Sequence, residues 1–165
     1  MALLDYIQQQ LPTDIANHLN SYNAEEKKFP NVRQYYYPNS DWFYEGTVRA
    51  VTFQLLSDWI TTNAAQGDYL LLAEQPYPNY PVDQVVDIMI SDNEGNLIFF
   101  DINADFNIVS TQADIPKLQQ AVSQIKPLHY GFAIYCVEEI QAAISAKMLQ
   151  AYQNDIVKAL AIVKQ

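Results

Sequence analysis

Two apolar runs, 84–90 and 97–102, stand either side of Asp92-Asn93-Glu94-Gly95. Strand-like runs this close, with glycine where the turn needs positive φ, specify an antiparallel hairpin and leave few other local folds open. A third such run, 69–73, precedes the hairpin. A fourth, 129–137, follows it and is apolar on both faces, which predicts an internal strand. Between them Asp114 and Pro116 mark the opening of a helix through Ile125, closed by Pro127. A hairpin followed by a strand–helix–strand crossover implies a mixed sheet of about four strands with helices on both faces.

The flanks are read by period. Leu3, Leu4, Ile7 and Leu11 recur at helical spacing, Pro12 interrupts, and Thr13-Asp14 start a further turn carrying Ile15 and Leu19. Residues 1–20 are thus an N-terminal helical segment. Residues 21–41 hold Pro30, Pro38 and the run Tyr35-Tyr36-Tyr37, and read as a long loop, either a lid or a contact surface. From 41 to 63 Val48, Val51, Leu55 and Trp59 form one helical stripe, and Gly67 follows its end. Ile140, Ile144, Met148, Tyr152, Ile156 and Leu160 at steps of four predict a C-terminal helix over 138–165. The expected chain is one α/β domain, 1–165, in the order α-β-β-β-α-β-α, with its core at 42–137.

Charge narrows the function. Nine Lys and Arg face nineteen Asp and Glu, a net of −10, and no basic residue stands between Arg49 and Lys117 while ten acids do. Such a stretch supplies no cations to displace the counterions of a phosphate backbone, and a solvated acidic surface is its simplest reading. Cys136 is the sole cysteine, so no internal disulfide forms and a reducing compartment is expected. No run approaches the ~18 apolar residues of a membrane span. The first ten residues carry Asp5 and no Lys or Arg, unlike a signal peptide, so a cytoplasmic location without membrane association is expected. His18 and His129 lack ligand-spaced partners, and the four glycines build no phosphate-cradling loop.

Three acids stand in or at the end of apolar strands: Glu74, Asp87 and Asp101. A carboxylate there loses hydration and needs a partner, a metal or a shifted pKa, unless it sits on an exposed face. Asp87 and Asp101 lie on strands joined by one hairpin, so they can be neighbours across the ladder, where they repel unless a cation or proton lies between them.

An early helix, an acid ending a strand, Asp87 in the next, a hairpin, then Asp101-Ile102-Asn103 leading to a helix resembles the PD-(D/E)xK, or restriction endonuclease-like, nuclease superfamily over roughly 45–137. The resemblance implies that α-β-β-β-α-β core and a divalent metal, Mg2+ or Mn2+, held by Asp87, Asp101 and the carbonyl of Ile102. Glu45 or Glu74 would join the site. The motif lysine falls at Asn103, an amide without positive charge, and Lys117 on the following helix is the candidate replacement. Val86 replaces the proline before Asp87.

Two functions follow. In the first, a catalytically degenerate nuclease-like fold is an acidic protein-binding module of inhibitor or immunity type. Its partner would be a basic protein, and Tyr35, Tyr36, Tyr37, Tyr77 and Tyr80 would be its contact anchors. In the alternative, the chain is a metal-dependent nuclease acting on DNA through Asp87 and Asp101, with Asn103 and Lys117 at the catalytic position.

Overall fold

The computed structural model describes residues 1–26, 28, 29, 45–76, 84–123 and 129–164. In order they form helices α1 (Leu3–Gln9), α2 (Leu11–Glu26) and α3 (Glu45–Asn63), strands β1 (Tyr69–Pro76), β2 (Val85–Asp92) and β3 (Leu97–Asn103), and helix α4 (Ile108–Ser123). Strand β4 (His129–Glu138), a 3-10 turn (Glu139–Gln141), helix α5 (Ala142–Gln150) and strand β5 (Val157–Lys164) complete the chain. The strands lie in one sheet in sequence order, β1 to β5. The first three pair antiparallel, and β3–β4 and β4–β5 pair parallel.

Alternation along the strands divides the core in two. Ile98, Phe100, Ile102, Phe132, Ile134, Cys136, Leu160 and Ile162 face one side, where Leu3, Ile7, Leu11, Ile15 and Leu19 of α1 and α2 and Val48, Val51 and Leu56 of α3 cover them. Phe99, Ala133, Tyr135, Val137 and Val157 face the other, beneath Ile115, Leu118, Ala121 and Val122 of α4 and Leu149 of α5. Side chains two residues apart share a face of a strand, so a chain with apolar residues at both parities must be covered twice. β4 is that strand. It lies inside the sheet and is buried along nearly its whole length, as its sequence predicts.

The hairpin between β2 and β3 follows its sequence. Gly95 has φ 86°, and Asp92 accepts hydrogen bonds from the backbone N–H groups of Glu94 and Asn96 at 2.9 and 2.8 Å. Pro12 falls in the first turn of α2, where a missing N–H costs nothing.

Three expectations need correction. The sheet has five strands, not four, because the predicted helix over 138–165 ends at Gln150 and 157–164 is β5. The Asn154 side chain turns the chain there, accepting from the backbone N–H groups of Ile156 and Val157 at 3.0 and 2.7 Å. That places Leu160 in the sheet and leaves Ile140, Ile144 and Met148 exposed, while Ser145 and Leu149 are the buried face of α5. Second, α4 opens at Ile108, not at Asp114. Asn107 accepts from the Val109 N–H at 3.0 Å, and Pro116 is tolerated inside the helix. Third, 21–26 belong to α2 rather than to a loop. Tyr35, Tyr36, Tyr37, Tyr77 and Tyr80 lie outside the described residues.

Candidate functional site

At one end of the hairpin β2 and β3 part. Their pairing runs through Ile88 opposite Phe100 and stops one position before Asp87 would meet Asp101. On the other side of β2 the ladder also breaks: Ala73 pairs with Ile88 and Gln75 with Val86, and Glu74, opposite Asp87, adopts φ 53°. Left-handed backbone at a non-glycine costs of order 1–3 kcal/mol and gathers at functional sites. The face alternation slips here too. Val86 packs beneath α4, whereas Ile88, two residues on, packs beneath α1–α3. Asp87 therefore stands at a gap in the sheet through which both helical layers are reached.

The backbone of β3 fixes one of its oxygens: Ile102 N–H donates to Asp87 Oδ2 at 2.7 Å. From α3, Arg49 Nη1 donates to Asp87 Oδ1 at 3.0 Å and lies 3.1 Å from Glu74 Oε1. Asp101, on the α4 side, pairs with Lys117 Nζ at 2.9 Å, and the same ammonium lies 3.0 Å from Asp114 Oδ1, one helical turn earlier. Asn103 Nδ2 donates to the other oxygen of Asp114. Asp87 and Asp101 are both 7% exposed and stand at facing positions one step beyond the last β2–β3 pair.

The electrostatics follow from crowding acids at a partly dry position. Burial pushes the Asp87 carboxyl above its ordinary value, against the lowering effect of the Ile102 N–H and with Glu45 adding to the rise. Burial also raises Glu45, opposed by Arg49 and assisted by the charges of Asp101, Asp105 and Asp114. Burial alone would lower Lys117, but its hydrogen bonds and charge contacts with Asp101 and Asp114 hold it above the usual lysine value. Among the described residues Arg49 and Lys117 are the cations against these acids, and the crowding of negative charge adds to burial in raising Asp87 and Glu45.

Of the residues singled out in the sequence, Asp87, Asp101, Asn103 and Lys117 come together, and Glu74 joins them through Arg49. Sequence reasoning placed neither Arg49 nor Asp114 in the site, and read Asp114 only as opening a helix. The signals were present: Arg49 follows Glu45 by four residues on a predicted helix, and Asp114 precedes Lys117 by three. Among the described residues no group of three or more His, Cys, Asp or Glu side chains is arranged to hold a metal ion. The donor set present is two adjacent carboxylates. That fits magnesium, which is bound through one or two carboxylates while keeping several waters, better than a closed site of protein ligands. A cleft of about 470 Å³ lined by Gln84, Val85, Ala113, Asp114, Pro116, Lys117 and Gln120 opens beside Lys117. Among the described residues no helix is long and apolar enough to cross a membrane. No family model matches the chain, and neither a curated protein nor a solved structure does.

Proposed function

We propose that the chain is a divalent-metal-dependent phosphodiesterase acting on nucleic acid, with Asp87 and Asp101 as metal ligands. The observation that carries this reading is that Asp87 and Asp101 face one another where the β2–β3 ladder ends, with Lys117 Nζ 2.9 Å from Asp101. Scattered acids would have supported a binding surface alone. Here Lys117 supplies, from the following helix, the positive charge that Asn103 lacks at the motif position. Asn103 instead orients Asp114, which shares the Lys117 ammonium with Asp101.

A divalent ion at Asp87 and Asp101 would lower the pKa of a water and neutralise charge developing on the phosphate. The Ile102 N–H keeps the Asp87 carboxylate turned toward the gap, and the Ile102 carbonyl is the further oxygen ligand the resemblance implies. Lys117, held charged by its two acids, is positioned to stabilise the oxyanion or orient the attacking water. The neighbouring cleft gives the substrate a place to lie beside Lys117.

The test is a thermal melt of the full chain with manganese and magnesium, beside Asp87→Asn and Asp101→Asn. Binding at a hundredfold excess over Kd should raise the wild-type melting temperature by about 5–10 °C, and neither variant should respond. Lys117→Ala should keep the shift and cut nucleic-acid cleavage about 10²–10³-fold, the loss typical of removing one transition-state donor. No shift at millimolar metal would sink the reading. The net charge of −10 would then favour the second one, an acidic module that binds a basic protein.

A further inference from the structure

Arg49 is the least expected member of the site. It reaches from α3 across the gap to place one nitrogen, Nη1, against both Asp87 Oδ1 and Glu74 Oε1, at 3.0 and 3.1 Å. The other Asp87 oxygen is already committed to the Ile102 N–H. Oδ1 is the Asp87 oxygen that β3 does not hold, and Arg49 covers it. Glu74 contributes in an unusual way. It is exposed, it sits in left-handed backbone that a glutamate adopts only at a cost, and it interrupts the β1–β2 ladder directly opposite Asp87. Among the described residues its ion pair is with Arg49.

We propose that Arg49 is a built-in counter-ion for the metal position, tethered by Glu74, and that metal entry requires it to leave Asp87. This rests on the metal-dependent reading of the site, and it makes Glu74 the arginine's tether rather than a metal ligand. Two buried carboxylates at facing positions repel unless a positive charge screens them, so Arg49 on Asp87 and Lys117 on Asp101 keep the metal-free pair folded. A divalent ion brings more charge to the same oxygen and displaces the guanidinium. Arg49 then stays anchored by Glu74 at the rim of the site. Guanidinium forks suit phosphate oxygens, so the displaced residue is placed to bind the substrate anion.

The experiment is isothermal titration of manganese into the wild-type chain and into Arg49→Gln, Arg49→Lys and Glu74→Gln, each first checked for a cooperative melt without metal. Removing the competing charge should tighten binding in Arg49→Gln by about tenfold, the factor set by about 1.4 kcal/mol of lost competition. Arg49→Lys, which keeps a positive charge, should stay near wild type. Glu74→Gln, which loosens the tether, should tighten binding by a smaller factor. A merely structural arginine would do the reverse, since a disordered site binds metal more weakly. Binding by the wild type with no gain in Arg49→Gln overturns this inference and leaves the proposed function standing. Binding by Arg49→Gln alone supports it in its strongest form, and no binding by any of the four proteins overturns both. Should Arg49→Gln fail to fold, Glu74→Gln decides: tighter binding supports the tether, and lost binding makes Glu74 a ligand and overturns it.

Discussion

His129 opens β4 with its ring buried, and it accepts the Leu97 N–H on Nδ1 at 3.0 Å while its Nε2 finds no partner among the described residues. Accepting on Nδ1 requires the neutral imidazole, and burial pushes its pKa below the ordinary histidine value. A base whose folded pKa is depressed binds fewer protons than the unfolded chain. Its contribution is therefore complete above about 6.5 and is lost as pH falls below that value. Wild-type stability should decline from pH 7 to 5 more steeply than that of His129→Gln, as urea melts at several pH values would show. Asp87 behaves in the opposite sense. Its raised carboxyl must lose a proton before it can ligate a cation, so manganese affinity should weaken as pH falls through the range just above ordinary carboxylate values. Calorimetry in buffers of different ionisation enthalpy should detect the released proton in the wild type and not in Asp87→Asn.

At the level of elements, Gly131 sets how closely α4 lies on the sheet. A Cβ there would stand 3.2 Å from Leu118 Cβ and 3.3 Å from Val157 Cγ2, neither of them the free end of a flexible chain. Gly131→Ala should cost about 1–3 kcal/mol in denaturant unfolding. Because Leu118 follows Lys117, it should also disturb the Lys117–Asp101 pair; full wild-type stability would mean that α4 yields easily. The elements that sequence placed well are those whose local pattern and tertiary role agree: the hairpin at Gly95, the doubly apolar β4, and α3 with its stripe from Val48. The C-terminal segment was misread because its steps of four continue past Asn154 into residues that also suit a strand. Period alone does not see the side-chain cap that ends the turn. In the candidate site Lys117 was named only through the resemblance, and the facing positions of Asp87 and Asp101 were legible from strand pairing. Arg49 and the left-handed Glu74 were not, because the slip in alternation that brings them together is a property of three strands and a helix at once.

Over the whole molecule a net charge of −10 on 165 residues sets a background of self-repulsion. Raising sodium chloride from about 10 to 200 mM shortens the Debye length from about 30 Å to below 10 Å, and the melting temperature should rise with it. A flat response would place the acids too far apart to feel one another. The strand order has a different consequence, for the route by which the chain reaches its native state. Because β1 to β5 lie in space as they lie in sequence, no strand has to be threaded between two that are already joined. The β1–β3 meander needs only short connections to close, whereas β4 and β5 each need a helical crossover, the slower kind of pairing. Asp87, Asp101 and Arg49 all precede α4 in the chain, so the stretch that holds both acids carries its own cation, on α3, independent of the one that α4 adds.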